Sequence, residues 1–465
     1  MLRIIRSFMA TLIMVFFLAS CGGGGDSTVT TVSCSNPNCQ ILSAAVSTPF
    51  VQTVNNLRVS VDDQGPHSFG SSTNILFANV TVCSPGGAPN QCVTIDHVLV
   101  DTGSVGLRVL ASKVNALALQ PVSVVSGNAW ECFPFVIGGL WGPVVGADVY
   151  LGQQGTSGTA LPVQLIDDQQ VLSPTNDCLT VTNSSLLTSA GALGANGILG
   201  IGSTTLDCGV YCENGTYHTT AATPPGSSVL YYGCPAAATS ATACSLASIS
   251  ANLQVYNPVA ALPAPYNNGV VLKMPAIPAG QPGAASAAGE LILGVDPNNL
   301  PGNATQVFLG VANPASDSYL SITTQYNNHV YANSYLDTGT NGLFFYDATL
   351  AASACSSQQA SSYWYCPGTT LGNLQAILSD GDTPTLHQVP VVFQIGNFAI
   401  LSATSNTAFS DSAGAVNAQD ALGNPIPDTK TFAWGMPFFY GRQVALSIWQ
   451  QPGSLNGPWV AWAPL

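Results

Sequence analysis

Val98-Leu99-Val100-Asp101-Thr102-Gly103-Ser104 and Ser334-Tyr335-Leu336-Asp337-Thr338-Gly339-Thr340 share one pattern: a strand-like lead, then Asp-Thr-Gly, then a small hydroxyl residue. One such triplet reads as a turn after a strand, because Asp, Thr and Gly suit turns. It would arise by chance in roughly one in ten chains of this length. Two, with matching flanks, are far harder to reach by chance, and the match extends outward. Gly200, in Gly197-Ile198-Leu199-Gly200, lies 99 residues after Asp101, and Gly435, in Ala433-Trp434-Gly435, lies 98 residues after Asp337. Equal internal spacing implies a duplicated fold of two lobes.

The residue types fit one chemistry. Two carboxylates held close together cannot both ionise readily, so they share a proton. One is then a base toward a bound water and the other an acid toward a carbonyl, and the titration belongs to the pair. Gly103 and Gly339 are expected to let the backbone turn tightly under each carboxylate. Thr102 and Thr338 can hydrogen-bond across the two loops, and Ser104 and Thr340 can bond the outer carboxylate oxygens.

Around these loops the chain reads as all-β. Leu57–Val61, Ile75–Val82 and Val93–Ile95 are rich in β-branched residues and are separated by Gly, Pro and Asn turns. Helical periodicity is scarce, and Leu371–Ser379 is the best short match to it. The chain of 465 residues has 46% apolar and only 6% charged residues, with a net charge of −14. A large core is therefore expected, under a surface built mostly from Ser, Thr, Asn, Gln and Gly. The scarcity of cations argues against nucleic acid as a partner and against adhesion to anionic lipid by charge alone.

The two triplets and their surroundings resemble the pepsin-like aspartic proteases. Asn196-Gly197-Ile198-Leu199-Gly200-Ile201-Gly202 looks like the segment that closes the first active-site loop. Gly289–Pro297 looks like the start of the second lobe, and Trp434–Phe439 with Trp459–Pro464 looks like its end. The resemblance implies a bilobal β fold with a central cleft and a flap. It assigns lobes to 46–202 and 276–465, and to 203–275 a Cys-containing insertion and lobe connection. It implies a water-mediated endopeptidase acting on extended peptide or protein substrates. Asp101 and Asp337 would be catalytic, and Thr102, Gly103, Ser104, Thr338, Gly339 and Thr340 would support them. The chain also resembles an uncharacterised family of proteobacterial lipoproteins, the DUF3443 type. It departs from the protease pattern where a Trp usually follows the first triplet, since that position holds Arg108, which reads either as a surface charge or as a cleft residue. The flap hairpin aligns with Phe135 to Gly152, placing Phe135 where a Tyr is usual. Trp141 and Gly142 lie in the same hairpin, with Trp141 a substitute cover or ordinary packing.

Residues 1–20 read as a signal segment: Arg3 and Arg6 precede the apolar run Met9–Phe17, which is too short to span a membrane. Leu18-Ala19-Ser20-Cys21 resembles a bacterial lipobox, which implies a lipid on Cys21, a tether over 21–45 and a bacterial outer-membrane location. The remaining twelve cysteines read as disulfides in an exported chain. Sequence neighbours suggest Cys34–Cys39, Cys83–Cys92, Cys132–Cys178, Cys208–Cys212, Cys234–Cys244 and Cys355–Cys366. With no paired C-x2-C and five scattered His, neither a metal site nor a cofactor is expected. No G-x-S-x-G elbow is evident, and His97 reads as a turn or surface residue. A protease-like fold that binds peptide or glycan without turnover is the alternative function, and an envelope lipoprotein with a vestigial cleft a third. The expected state is a monomer.

Overall fold

The computed structural model describes residues 44–465, apart from 67–72, 88–90, 136–137, 157, 217–228, 279–280, 311–319, 356–361, 420–424 and 450–457. The described chain is overwhelmingly β. Its strands form two sheets, one of nineteen and one of nine. The α-helices among the described residues are short, the longest being Asn176–Val181, and none is long and apolar enough to cross a membrane.

The larger sheet starts with Asn56–Val61, Leu76–Cys83 and Cys92–Asp101, close to the three segments read as strands. In Asn56–Val61 the side chains of Leu57, Val59 and Val61 are buried while Arg58 and Ser60 are half-buried, the period of two that a one-faced strand requires. This sheet does not end with the first half of the sequence. Gly269–Met274 pairs with Ala287–Leu293 on one side and with Arg442–Ser447 on the other, and Trp459–Pro464 adds to that edge. The smaller sheet holds Ile322–Tyr326, His329–Leu336, Leu343–Phe345 and later strands up to Thr431–Trp434. One apolar core runs through both, from Val100 and Leu199 to Leu336, Leu343 and Trp434. Each such buried aliphatic side chain contributes about 1.5–3 kcal/mol.

Leu371–Ser379 is a strand, not a helix. It pairs antiparallel with Val389–Ile395 and with Ile322–Tyr326. Its apolar residues 371, 374 and 377 imitate a helical stripe because a bulge interrupts the ladder. The register shifts between Leu371 and Leu374, and Asn373 takes φ +54°. Beyond the bulge the period is two: Ala376 and Leu378 are buried, and Gln375 and Ile377 are exposed.

Five of the six disulfides suggested by sequence neighbours are formed: Cys83–Cys92, Cys132–Cys178, Cys208–Cys212, Cys234–Cys244 and Cys355–Cys366. Cys34–Cys39 and Cys21 lie outside the described residues. Cys132–Cys178 closes the longest loop, with a sequence separation of 46, a constraint worth about 4 kcal/mol on chain-entropy grounds.

Candidate active site

Each Asp-Thr-Gly loop hangs from the same small arrangement of strands. Cys92–Asp101 leads into the first loop and Val105–Leu110 leaves it. Gly197–Ile201 then lies between the two, parallel to the first with Gly200 opposite Asp101, and antiparallel to the second. In the other sheet His329–Leu336 leads in and Leu343–Phe345 leaves. Thr431–Trp434 fills the gap in the same two senses, with Trp434 opposite Leu336. The peptide N–H of Asp337 donates to Trp434 O at 3.0 Å. The distant glycines have a shared reason: a Cβ on Gly200 would lie 2.7 Å from backbone atoms of Val105, and one on Gly435 would lie 2.2 Å from Gly342 O. The inserted strand passes directly under the loop, and only glycine leaves room.

The two loops meet tip to tip. Thr102 N–H donates to Thr338 Oγ1 at 3.1 Å, and Thr338 N–H donates to Thr102 Oγ1 at 3.0 Å. Each hydroxyl donates onward across the join, Thr102 to Leu336 O at 3.0 Å and Thr338 to Val100 O at 2.6 Å. Both Thr are buried, so four backbone groups are satisfied by two side chains. The carboxylates are held alike. Asp101 Oδ1 accepts from Gly103 N at 2.8 Å and its Oδ2 from Ser104 Oγ at 2.5 Å. Asp337 Oδ1 accepts from Gly339 N at 2.7 Å and its Oδ2 from Thr340 Oγ1 at 2.5 Å.

Gly103 and Gly339 are required for a reason other than the tight turn expected. Neither has a positive φ. A Cβ on Gly103 would lie 2.6 Å from Asp337 Cγ, and one on Gly339 would lie 2.7 Å from Asp101 Oδ1. Each glycine is the face against which the opposite carboxyl packs. Both glycines are exposed, Asp101 is 6% exposed and Asp337 is half-buried, so the pair is reached from the glycine side.

The Asp337 carboxyl is pushed up to about 8. Desolvation comes first, then the charge of Asp101 and a hydrogen bond between the two carboxyls, against the lowering effect of Thr340 and Gly339. The raised Asp337 carboxyl thus keeps its proton to higher pH than a free carboxylic acid does, the property an acid beside a second carboxyl needs.

Arg108 is neither a surface charge nor an open cleft residue: it is 0% exposed. Its strand lies between two others, and its guanidinium turns into a closed ionic cluster. Nη2 donates to Glu131 Oε1 at 2.6 Å and to Asp207 Oδ2 at 2.9 Å, and Nη1 donates to Val105 O at 2.6 Å. The guanidinium also lies 3.8 Å from the centroid of the Phe133 ring. Tyr231 donates to Asp207 and accepts from Val255 N–H at 2.8 Å. Burial, then Glu131, pushes the Asp207 carboxyl well up. Burial alone would lower the Arg108 guanidinium, but Glu131 and Asp207 hold it above its usual range. Glu131, Asp207 and Tyr231 escaped the sequence reading. The available signal was a charge inside an apolar strand run, at Leu107-Arg108-Val109 and at Trp130-Glu131-Cys132, in a chain with few charges.

The hairpin Gly127–Phe135 and Gly138–Leu151 is also packed down. Trp141 does not cover the carboxylates; it is 1% exposed, with Nε1 donating to Leu172 O at 2.8 Å and its ring against Trp130 and Tyr232. Gly142 presses on the neighbouring strand, where a Cβ would lie 1.7 Å from Leu165 O. Phe135, near the tip, is half-buried against Phe133. On the returning strand Gly139 N–H donates to Ser185 O at 2.8 Å, and Leu187 N–H donates to Gly139 O at 2.9 Å. The sequence reading also missed Asn74, a buried bridge: its Nδ2 donates to Asn341 O, Phe409 O and Ser412 Oγ, while its Oδ1 accepts from Phe409 N–H and Tyr440 Oη. It ties the chain before Leu76–Cys83 to the exit of the Asp337 loop.

His97 is partly exposed, bonded to Asp96 at 2.8 Å, and belongs to no catalytic arrangement. Among the described residues no group of three or more His, Cys, Asp or Glu is placed to hold a metal ion. A comparison with curated proteins returned no match. The profile of a family described as "Protein of unknown function (DUF3443)" matches residues 51–462, and the chain belongs to that family.

Proposed function

We propose that this protein is an aspartic-type endopeptidase with a bilobal, pepsin-like arrangement, held at the bacterial outer membrane by a lipid on Cys21. The observation that carries this reading is the tip-to-tip meeting of Asp101-Thr102-Gly103 and Asp337-Thr338-Gly339, with reciprocal Thr bonds and a raised Asp337 carboxyl beside Asp101. In the proposed reaction the ionised carboxyl takes a proton from water as the water oxygen bonds to the scissile carbonyl carbon. The protonated carboxyl gives its proton to the carbonyl oxygen. As the tetrahedral intermediate collapses, the ionised carboxyl takes a proton from one of its hydroxyls, the C–N bond breaks, and the leaving nitrogen takes a proton from the other carboxyl, which returns the pair to its single proton. The bonds from Gly103 N, Ser104 Oγ, Gly339 N and Thr340 Oγ1 fix both carboxyls before substrate arrives.

One observation favours a second reading, peptide binding without turnover: the hairpin expected to close over the substrate is bonded down at Gly139. A single experiment separates the two. The chain lacking residues 1–21 is incubated with a diverse peptide mixture from acidic to neutral pH, beside Asp101→Asn and with a transition-state-like aspartic protease inhibitor. The protease reading expects cleavage that both controls abolish. Peptide binding with no cleavage at any pH, from folded protein, selects the second reading.

A further inference from the structure

A cavity of about 210 Å³ has no lining residue from either Asp-Thr-Gly triplet. Its inner wall is aromatic: Trp434, Phe393 and Phe438 line it and are all buried. Gln394 and Ser410, bonded to each other at 3.2 Å, stand at a half-buried rim. Arg442 also lines the cavity.

Arg442 is the unusual member. Its guanidinium lies 4.8 Å from the centroid of the Phe438 ring, and it donates to Phe438 O at 2.5 Å and to Val392 O at 2.8 Å. Those bonds use two of its five N–H donors. No carboxylate lies within ion-pair reach of it among the described residues. Desolvation pushes the group down to about 10, so it remains a cation at neutral pH with its charge uncompensated. A half-buried cation with spare donors beside an aromatic wall is complementary to a flat anion with an apolar body. A phosphate dianion would exceed the one positive charge present, whereas a carboxylate matches it in charge and in fork geometry.

We propose that this cavity binds a monocarboxylate borne on an apolar group, with the carboxylate on Arg442 and the apolar body against Phe393, Phe438 and Trp434. A hydrophobic C-terminal residue of a peptide and a free arylalkanoic acid both present that chemistry. The site is independent of the proteolytic reading and stands whether or not the chain cleaves peptides.

The test is calorimetric titration of the full-length chain with 3-phenylpropionate, with its amide, and with Ala-Ala-Phe bearing a free or an amidated carboxyl. The expected result is saturable one-site binding, with the acids at least about tenfold tighter than the amides. Tighter binding of the tripeptide acid identifies a peptide terminus as the ligand, and tighter binding of 3-phenylpropionate identifies a free acid. Arg442→Gln should remove the preference for acid over amide. Ser410→Leu, which leaves both carbonyl bonds of Arg442 in place, should fill the cavity and abolish binding. Equal affinity for acid and amide, no saturable binding of either acid, or unchanged affinity in folded Ser410→Leu overturns the proposal. If Arg442→Gln does not fold, the acid-to-amide ratio and Ser410→Leu still decide it.

Discussion

Seven residues after Asp101 the chain places Arg108, and seven residues after Asp337 it places Phe344. The two positions are equivalent in the fold. Arg108 stands opposite Ile198, two residues before Gly200, and Phe344 stands opposite Ala433, two residues before Gly435. Behind the first loop lies a sealed ionic cluster of Arg108, Glu131, Asp207 and Tyr231. Behind the second lie aromatic rings: Phe344 packs on Trp364, which stacks on Phe398 at 3.8 Å, and Phe345 stacks on Phe432 at 4.2 Å. Yet the loops agree bond for bond. The loop geometry is therefore set locally, by Thr, Gly and the strand passing beneath, and the material behind it is free to differ in kind.

The largest test of that equivalence is catalytic. If the chain cleaves peptides as proposed, Asp101→Asn and Asp337→Asn should each reduce cleavage by at least about a thousandfold, despite their different surroundings. Retained cleavage in either variant, measured on the same peptides, would break the paired reading of the two loops.

The next effect should separate the halves. Arg108→Met leaves Glu131 and Asp207 buried without their cation and should cost about 3–5 kcal/mol in urea unfolding. Phe344→Leu, at the equivalent place, should cost only about 1 kcal/mol. Adding Glu131→Gln and Asp207→Asn to Arg108→Met should recover most of the loss, since the penalty belongs to uncompensated charge. A small cost for Arg108→Met alone would mean that water reaches the cluster.

What the sequence made legible follows the same division. The paired triplets, the far glycines and the disulfide partners are local or evenly repeated, so spacing exposes them. The ionic cluster joins positions 23 and 99 residues apart from Arg108, and Asn74 reaches partners more than 260 residues away. No local pattern encodes such contacts. Leu371–Ser379 failed for a different reason: one bulge at Asn373 adds a residue and turns a period of two into a false period near three and a half. Gly103 and Gly339 were expected to serve a tight turn, but the atom they make room for is on the other loop, which no local pattern shows.

A pH series comes next in size. The Asp337 carboxyl titrates near 8 when folded and in the ordinary carboxylate range when unfolded. A raised acid favours the folded state in its protonated form, so this stabilisation is complete below the unfolded value and is lost as pH climbs toward 8. Asp207, also pushed up, acts in the same direction. The urea midpoint should fall between pH 4 and 8, with about 2 kcal/mol of that fall absent in Asp337→Asn after allowance for its partial exposure. Under the proposed mechanism cleavage should decline as pH passes 8, when the Asp337 carboxyl loses its proton.

The smallest expected effect is the sharpest probe of local control. Thr102→Val removes the hydroxyl that donates to Leu336 O and accepts from Thr338 N–H, and Thr338→Val removes the mirror pair. Each change keeps shape and leaves two buried backbone groups short of a partner, at a cost of about 1–2 kcal/mol. If the join between the loops decides their geometry, the two costs should agree within a few tenths of a kcal/mol, whatever lies behind each loop. The double variant should lose less than the sum, because either substitution alone already loosens the shared contact. Unequal single costs would show that the ionic cluster or the aromatic stack reaches through to the loop tip, and the larger cost would name which of them does.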